Sequence, residues 1–140
     1  MIPKTDLMLV TYQKDFVYLR HCLRSIAKFA TGFNAVQLLV PHEDVAGAWA
    51  LVDDTNTRKY PVLVKGYEER PGKGFLWHER QITYADTLTD AEVIGHLDSD
   101  CIFIEPVTPS DFLHTDKIIL RYEPFSSICK RHDAMLRWQE

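Results

Sequence analysis

The sequence predicts an α/β fold, a mostly parallel sheet with helices on both faces. Three observations carry that expectation. Short apolar runs recur along the chain, as strands buried on both faces require. Segments of helical period lie between them, giving the order β-α-β-α-β-α-β. The fourth run, Val93 to Leu97, reaches two carboxylates, Asp98 and Asp100, one residue apart. Asp is depleted inside strands, so this pair marks the carboxyl end of one, where the backbone leaves the sheet.

The totals set the bounds. With 140 residues the chain is expected to form a single domain over 1–140, large enough for a real core. Hydrophobic residues make up 46% and charged residues 26%, which excludes a disordered chain. A net charge of −4 and a pI near 5.8 leave no basic footprint for nucleic acid. A phosphorylated ligand therefore needs a bound cation or a local cluster of Lys and Arg. No run approaches the roughly 20 apolar residues of a membrane span. Lys4 and Asp6 before a short apolar run do not make a signal peptide, so a cytoplasmic protein is expected. Cys22, Cys101 and Cys129 are too far apart for a disulfide framework and read as buried free thiols.

Asp6 to Tyr12 reads as the first buried strand. Phe16, Leu19, Leu23, Ile26 and Ala30, with Cys22 on the same side, follow at helical spacing. Asp15 is placed to cap that helix and Gly32 to end it in a left-handed residue. Arg20, Arg24 and Lys28 form a basic stripe on another face, read as solvated surface. Ala35 to Val40 is the second strand, closed by Pro41. A helix from His42 to about Asp54 follows, with Val45, Trp49 and Val52 on one face and Gly47 weakening it. Tyr60 to Gly66 is the third strand, where Pro61 fits only at the beginning or on an edge.

Gly72-Lys73-Gly74 lacks the rest of a phosphate-binding loop motif and is read as a loop beside the site. Phe75 to Leu88 is expected to be helical, with Trp77, Gln81, Tyr84 and Leu88 near one face. Gln81 is the polar exception there. Strands are expected on both sides of the acidic pair. Pro106, Pro109 and Asp111-Phe112 suggest a turn with one helical turn, Lys117 to Tyr122 another strand, and Ser126 to Glu140 a helix. His78, His96 and His114 have no zinc-ligand spacing. His96 is expected to be a hydrogen-bonded histidine in the sheet.

Two adjacent carboxylates repel unless a cation or protons lie between them, and hard divalent cations take oxygen ligands of this kind. In open α/β sheets ligands bind at the strands' carboxyl ends. The bland alternative is an Asx-type turn closing a strand–loop junction.

The Rossmann-like order followed by His96-Leu97-Asp98-Ser99-Asp100-Cys101, then Pro106-Val107-Thr108-Pro109, resembles the nucleotide-sugar half of GT-A fold glycosyltransferases. It is nearest to uncharacterised bacterial and phage members of that superfamily. Asp98-Ser99-Asp100 corresponds to their D-x-D motif, and the resemblance covers residues 5 to 122. It implies a donor-binding half that takes a UDP- or GDP-sugar with Mn²⁺ or Mg²⁺ and serves a hexosyltransferase-type reaction. Asp100 would ligate the metal, and Asp98 would contact the ribose or reach the metal through water. Ser99 would join the donor site, and Thr11 and Tyr12 would hold the base. Lys65 and Gln81 are weaker candidates for base or sugar contacts. About 18 residues follow Tyr122, where the family places its acceptor half. The expectation is thus a chain truncated at its carboxyl end, or a module that binds donor without completing transfer. No catalytic residue or acceptor is assigned, and no motif supports His132 or Asp133. A metal-dependent phosphohydrolase or nucleotidyltransferase also uses paired carboxylates on such a sheet, but lacks here the further acidic clusters of a two-metal site.

Overall fold

The sheet is built around β1 (Thr5–Val10), whose residues are all buried. It pairs in parallel with β2 (Val36–Pro41) on one side and β4 (Val93–His96) on the other. β3 (Val62–Tyr67) adds in parallel to β2, so the strand order is β3-β2-β1-β4. The computed structural model describes residues 2–55, 57, 60–68, 74–114 and 117–119. Within them the fold is α/β and Rossmann-like. β3 lies at the edge and Pro61 stands just before it, the two settings in which a strand tolerates proline.

Side chains of β1 alternate between faces. Leu7 and Leu9 meet α1 (Phe16–Phe29) and α2 (Val45–Asp54) through Leu19, Cys22, Leu23, Ile26, Ala48, Leu51 and Val52. Met8 and Val10 face the other way, packing with Leu39 and Ala85, and against Ile82 and Leu88. Ile82 belongs to α3 (Gly74–Thr83). Helical segments therefore cover both faces, and the chain changes face between β3 and β4.

Several local expectations are corrected. Asp15 sits before α1 but makes no side-chain cap bond, because a 3₁₀ turn at Gln13–Asp15 already leads the backbone into the helix. α1 ends at an extended Ala30, and Gly32, left-handed at φ 78°, lies two residues further on. Pairing decides that exit: Ala30 bridges Val107, and the Thr31 N–H donates to the Val107 carbonyl at 2.9 Å. α2 starts at Val45, after a 3₁₀ turn at His42–Asp44, and turns Ala48, Leu51 and Val52 inward while Trp49 stays 43% exposed. Gly47 sits where a Cβ would come within 3.0 Å of the Phe16 ring, so the glycine lets the two helices close up. α3 stops at Thr83, and a 3₁₀ turn at Ala85–Thr87 shifts the phase, leaving Tyr84 exposed and turning Ala85 in. The side chain of Trp77 lies outside the described set.

The apolar stretch after the acidic pair forms no strand. Ile104 is 78% exposed, and the Phe103 N–H bonds a side chain of α1 instead of a sheet partner. The expected helical turn is present at Pro109–Asp111, closed by a capping box between Thr108 and Asp111. From Lys117 onward only β6 (Lys117–Ile118) is described as strand, paired antiparallel with β5 (Leu113–His114) outside the main sheet. The expectations for Gly72-Lys73, Cys129, Ser126 to Glu140, His132 and Asp133 lie outside the described residues. Arg20 and Arg24 reach Asp54 at 2.8 and 3.6 Å, as exposed pairs on the solvated face. Among the described residues no helix is long and apolar enough to cross a membrane.

Gly66 on β3 lies beneath the turn before α2. A Cβ there would stand 2.2 Å from His42 Nδ1 and 3.0 Å from Val45 Cγ2. Gly66→Ala is expected to destabilise the domain by about 1–3 kcal/mol through overpacking, read as a lower urea midpoint.

Candidate functional site

The sheet reverses its winding at β1. The chain runs outward through β2 and β3, then returns to place β4 on the other side of β1. The crevice beyond the carboxyl ends of β1 and β4 is therefore a topological switch point, where open α/β sheets bind ligands. The register Met8↔His96 continues one step further, with the Leu97 N–H donating to the Met8 carbonyl at 2.9 Å. Asp98 follows at once, level with the end of β1.

Asp98-Ser99-Asp100-Cys101 then forms a turn, closed by the Cys101 N–H donating to the Asp98 carbonyl at 3.0 Å. The backbone closes it. The Asp98 carboxylate accepts no hydrogen bond among the described residues, so the Asx-type turn weighed as an alternative is not what holds the junction.

α1 anchors this turn from below. The Cys22 thiol points at the Asp98 carbonyl at 3.9 Å. Burial, then the nearby Cys101 and Asp100, push that thiol up to about 12, so it stays protonated and inert. Ser25 donates to the Cys22 carbonyl at 2.7 Å and accepts from the Phe103 N–H at 3.0 Å. One helical hydroxyl thus ties down the chain leaving the acidic turn. Ser25→Ala strands the Phe103 N–H and is expected to cost about 1–2 kcal/mol. Faster amide exchange at residues 101–104 would distinguish a loosened turn from a general loss of stability.

A cleft of about 210 Å³ opens above the turn, lined by Val10, Asp15, Tyr18, His78, Asp98, Ser99 and Asp100. One ligand atom each from Asp98, Asp100 and Cys101 lie within 4.8 Å of one another, all three residues being exposed. Ser99, between the carboxylates, is only 8% exposed, and its hydroxyl has no hydrogen-bond partner among the described residues. Cys101 is exposed, which corrects the expectation of a buried thiol. Desolvation, then the carboxylates of Asp100 and Asp98, raise its pKa above the ordinary value. The His96 side chain makes no hydrogen bond among the described residues and lines an apolar groove beside β4, not the cleft. Desolvation there lowers its pKa, against the pull of Asp98.

The structure brings Asp98, Ser99 and Asp100 together and separates the other candidates. Thr11 is buried at the end of β1, its N–H donating to the Leu39 carbonyl of β2 at 3.0 Å and its hydroxyl unpartnered. Tyr12 is partly exposed at the end of β1. Neither lines the cleft. Lys65 stands on β3, three strand spacings or roughly 14 Å from β4, with its ammonium donating to the Leu88 carbonyl. Gln81 lines a different hollow of about 400 Å³, with Tyr67, Arg80, Tyr84 and Leu88.

The sequence reading missed Asp15 and Tyr18 in the cleft, although their place just after the first strand signals the ligand end of a parallel sheet. His78 had no such signal, since its arrival depends on the α3 crossover. No protein-family model and no curated protein matches the chain.

Proposed function

We propose that the chain binds a nucleoside-diphosphate sugar, a UDP- or GDP-sugar, as the donor-binding part of a metal-dependent glycosyltransferase. The observation that supports this best is the place of the Asp98-Ser99-Asp100 turn. It caps β4 beside the end of β1 at the switch point, with both carboxylates exposed to one cleft. The donor set suits a divalent cation, Mn²⁺ or Mg²⁺: two carboxylates whose oxygens approach each other closely, with no internal cation paired to them among the described residues. Asp98 and Asp100 would hold the ion. Bound there, it would stabilise charge on the leaving diphosphate as a Lewis acid and orient the donor.

The chain's own groups supply the rest. The unpartnered Ser99 hydroxyl is free to donate to a phosphate oxygen. The exposed Tyr12 ring offers a face for a base, and Tyr18 and His78 line the cleft with the carboxylates. Asp98-Asp100-Cys101 is the one close group of possible metal ligands among the described residues. A two-metal phosphohydrolase would need a second, which places that reading lower.

Titration calorimetry of UDP tests the proposal. Binding is expected with Mn²⁺ and at least tenfold weaker without it, and equal binding in both would overturn the metal role. A donor panel then separates a transferase from a module that only binds, by release of UDP.

A further inference from the structure

We propose that residues 120–140 of this chain dock through their apolar side chains on the groove beside β4. The surface consists of two hollows that meet at Phe103 and Phe112. One, of about 280 Å³, runs past Val93 and Leu97 to Leu113 and Ile118. The other, of about 510 Å³, is bounded by Ile102, Ile104 and Ile119. Ile102, Ile104, Phe112, Ile118 and Ile119 are all exposed there. Single exposed apolar residues are ordinary, but a contiguous patch marks a surface that something covers. The sheet points the same way. β1 and β2 are wholly buried, whereas Val93 and Ile94 of β4, last in the strand order among the described residues, are only half-buried. Parallel strands of such composition are normally enclosed.

The chain itself supplies the occupant. Ile119, the last described residue, lines the second hollow, and its N–H donates to the Phe112 carbonyl at 2.8 Å. The 21 residues that follow therefore start on the groove. At roughly 3.3 Å each when extended, they can reach any part of it. Leu120 and Tyr122 come first, and Phe125, Ile128, Met135 and Leu136 fall on one side at a period of 3.6 residues. Ser127, Lys130 and Arg137 fall opposite them. Charge agrees with this pairing. Glu105 and Asp111 line the second hollow, and the segment carries four basic against three acidic residues in a chain of net charge −4. No Lys, Arg, Asp or Glu among the described residues lines the first hollow, so a phosphorylated ligand would find no partner there. Direct attachment gives the segment an effective concentration on the order of millimolar, which favours it over a second copy of the chain.

Two measurements on the full chain test this. With Ile104 replaced by p-benzoyl-phenylalanine, irradiation is expected to cross-link that position to a residue within 120–140 of the same chain, read by peptide mapping of the monomer. A cross-link between two chains would assign the groove to a second copy and overturn the proposal. A cross-link confined to residues 1–119, or none, would overturn it as well. Trypsin supplies the second measurement. Cleavage after Lys130 and Arg131 is expected to be at least roughly tenfold faster in Ile104→Asp than in the parent, the factor that burying one aliphatic side chain supplies. Val17→Asp, also exposed but on α1 and lining neither hollow, is expected to leave that rate within about twofold. Equal cleavage in the parent and in Ile104→Asp overturns the docking, as does the same acceleration by Val17→Asp.

Discussion

The double variant Asp98→Asn, Asp100→Asn is expected to fold normally and to lose Mn²⁺-dependent UDP binding. Both side chains are exposed, and neither carboxylate accepts a hydrogen bond from a nitrogen or hydroxyl among the described residues, so stability should change by no more than about 0.5 kcal/mol. The turn survives because the Cys101 N–H and the Asp98 carbonyl close it, and Cys22 and Ser25 hold it from α1. Metal affinity is another matter. Asn keeps an oxygen but removes the charge, and the proposed site would lose both anionic ligands at once. Changes one shell further out already cost 10–100-fold, so the loss of Mn²⁺ affinity should be at least roughly 100-fold. Calorimetry of Mn²⁺ and then of UDP reads both steps. A variant that binds Mn²⁺ and UDP like the parent would remove the acidic turn from the site altogether.

Asp6→Ala is expected to have the largest effect on stability, about 3–5 kcal/mol, because it deletes the acceptor of a buried polar cluster. Asp6 is 1% exposed on β1 and accepts from Asn34 Nδ2 at 2.9 Å, Gln37 Nε2 at 2.8 Å and Thr89 Oγ1 at 2.5 Å. These donors come from the approach to β2, from β2 itself and from the approach to β4. One carboxylate thus aligns three strands at their amino ends. Without it the buried Gln37 amide, whose Oε1 already lacks a partner, would lose its one side-chain hydrogen bond among the described residues as well. Against the 5–15 kcal/mol of an ordinary domain, such a loss is a large fraction of the total, and urea unfolding would show it directly.

The same residue makes stability depend on acid. Burial pushes the Asp6 pKa up, but the bonds from Thr89, Asn34 and Gln37 and the charge of Lys4 outweigh it, leaving the carboxyl below its ordinary 3.8. A folded-state pKa below the unfolded one means that the unfolded chain binds the proton more readily. The contribution is therefore complete above pH 3.8 and is lost as pH falls from there through the folded value. The parent should lose stability over that range more steeply than Asp6→Ala. Parallel slopes in the two would show that other carboxyls govern acid unfolding.

Asp6 and Asp98 mark how far the residues alone could be read. Each is an aspartate at one end of an apolar run, and the pattern by itself does not separate them. Asp6 lies at the amino end of β1 with three donors around it, whereas Asp98 lies beyond the carboxyl end of β4 with none. The first carboxylate is bonded into the sheet, and the second carries no bond among the described residues. Direction along the strand was legible from the order of elements, but the donors around Asp6 come from positions up to 83 residues away in sequence.

The sequence by itself determined the α/β class, the four main strands and the helices between them, and the place of the acidic pair just past a strand. Those features follow from short continuous apolar runs, from a period of 3.6 residues between them and from where charge interrupts a run, all of them local. Only the tertiary structure decided which side chains share the cleft. The order β3-β2-β1-β4 moves Lys65 three strands from Asp98, and the way α3 packs on the sheet leaves Gln81 lining another hollow. The same order brings Asp15, Tyr18 and His78 to the carboxylates. Strand neighbours and helix phase are set by packing between distant segments, and no local period encodes them.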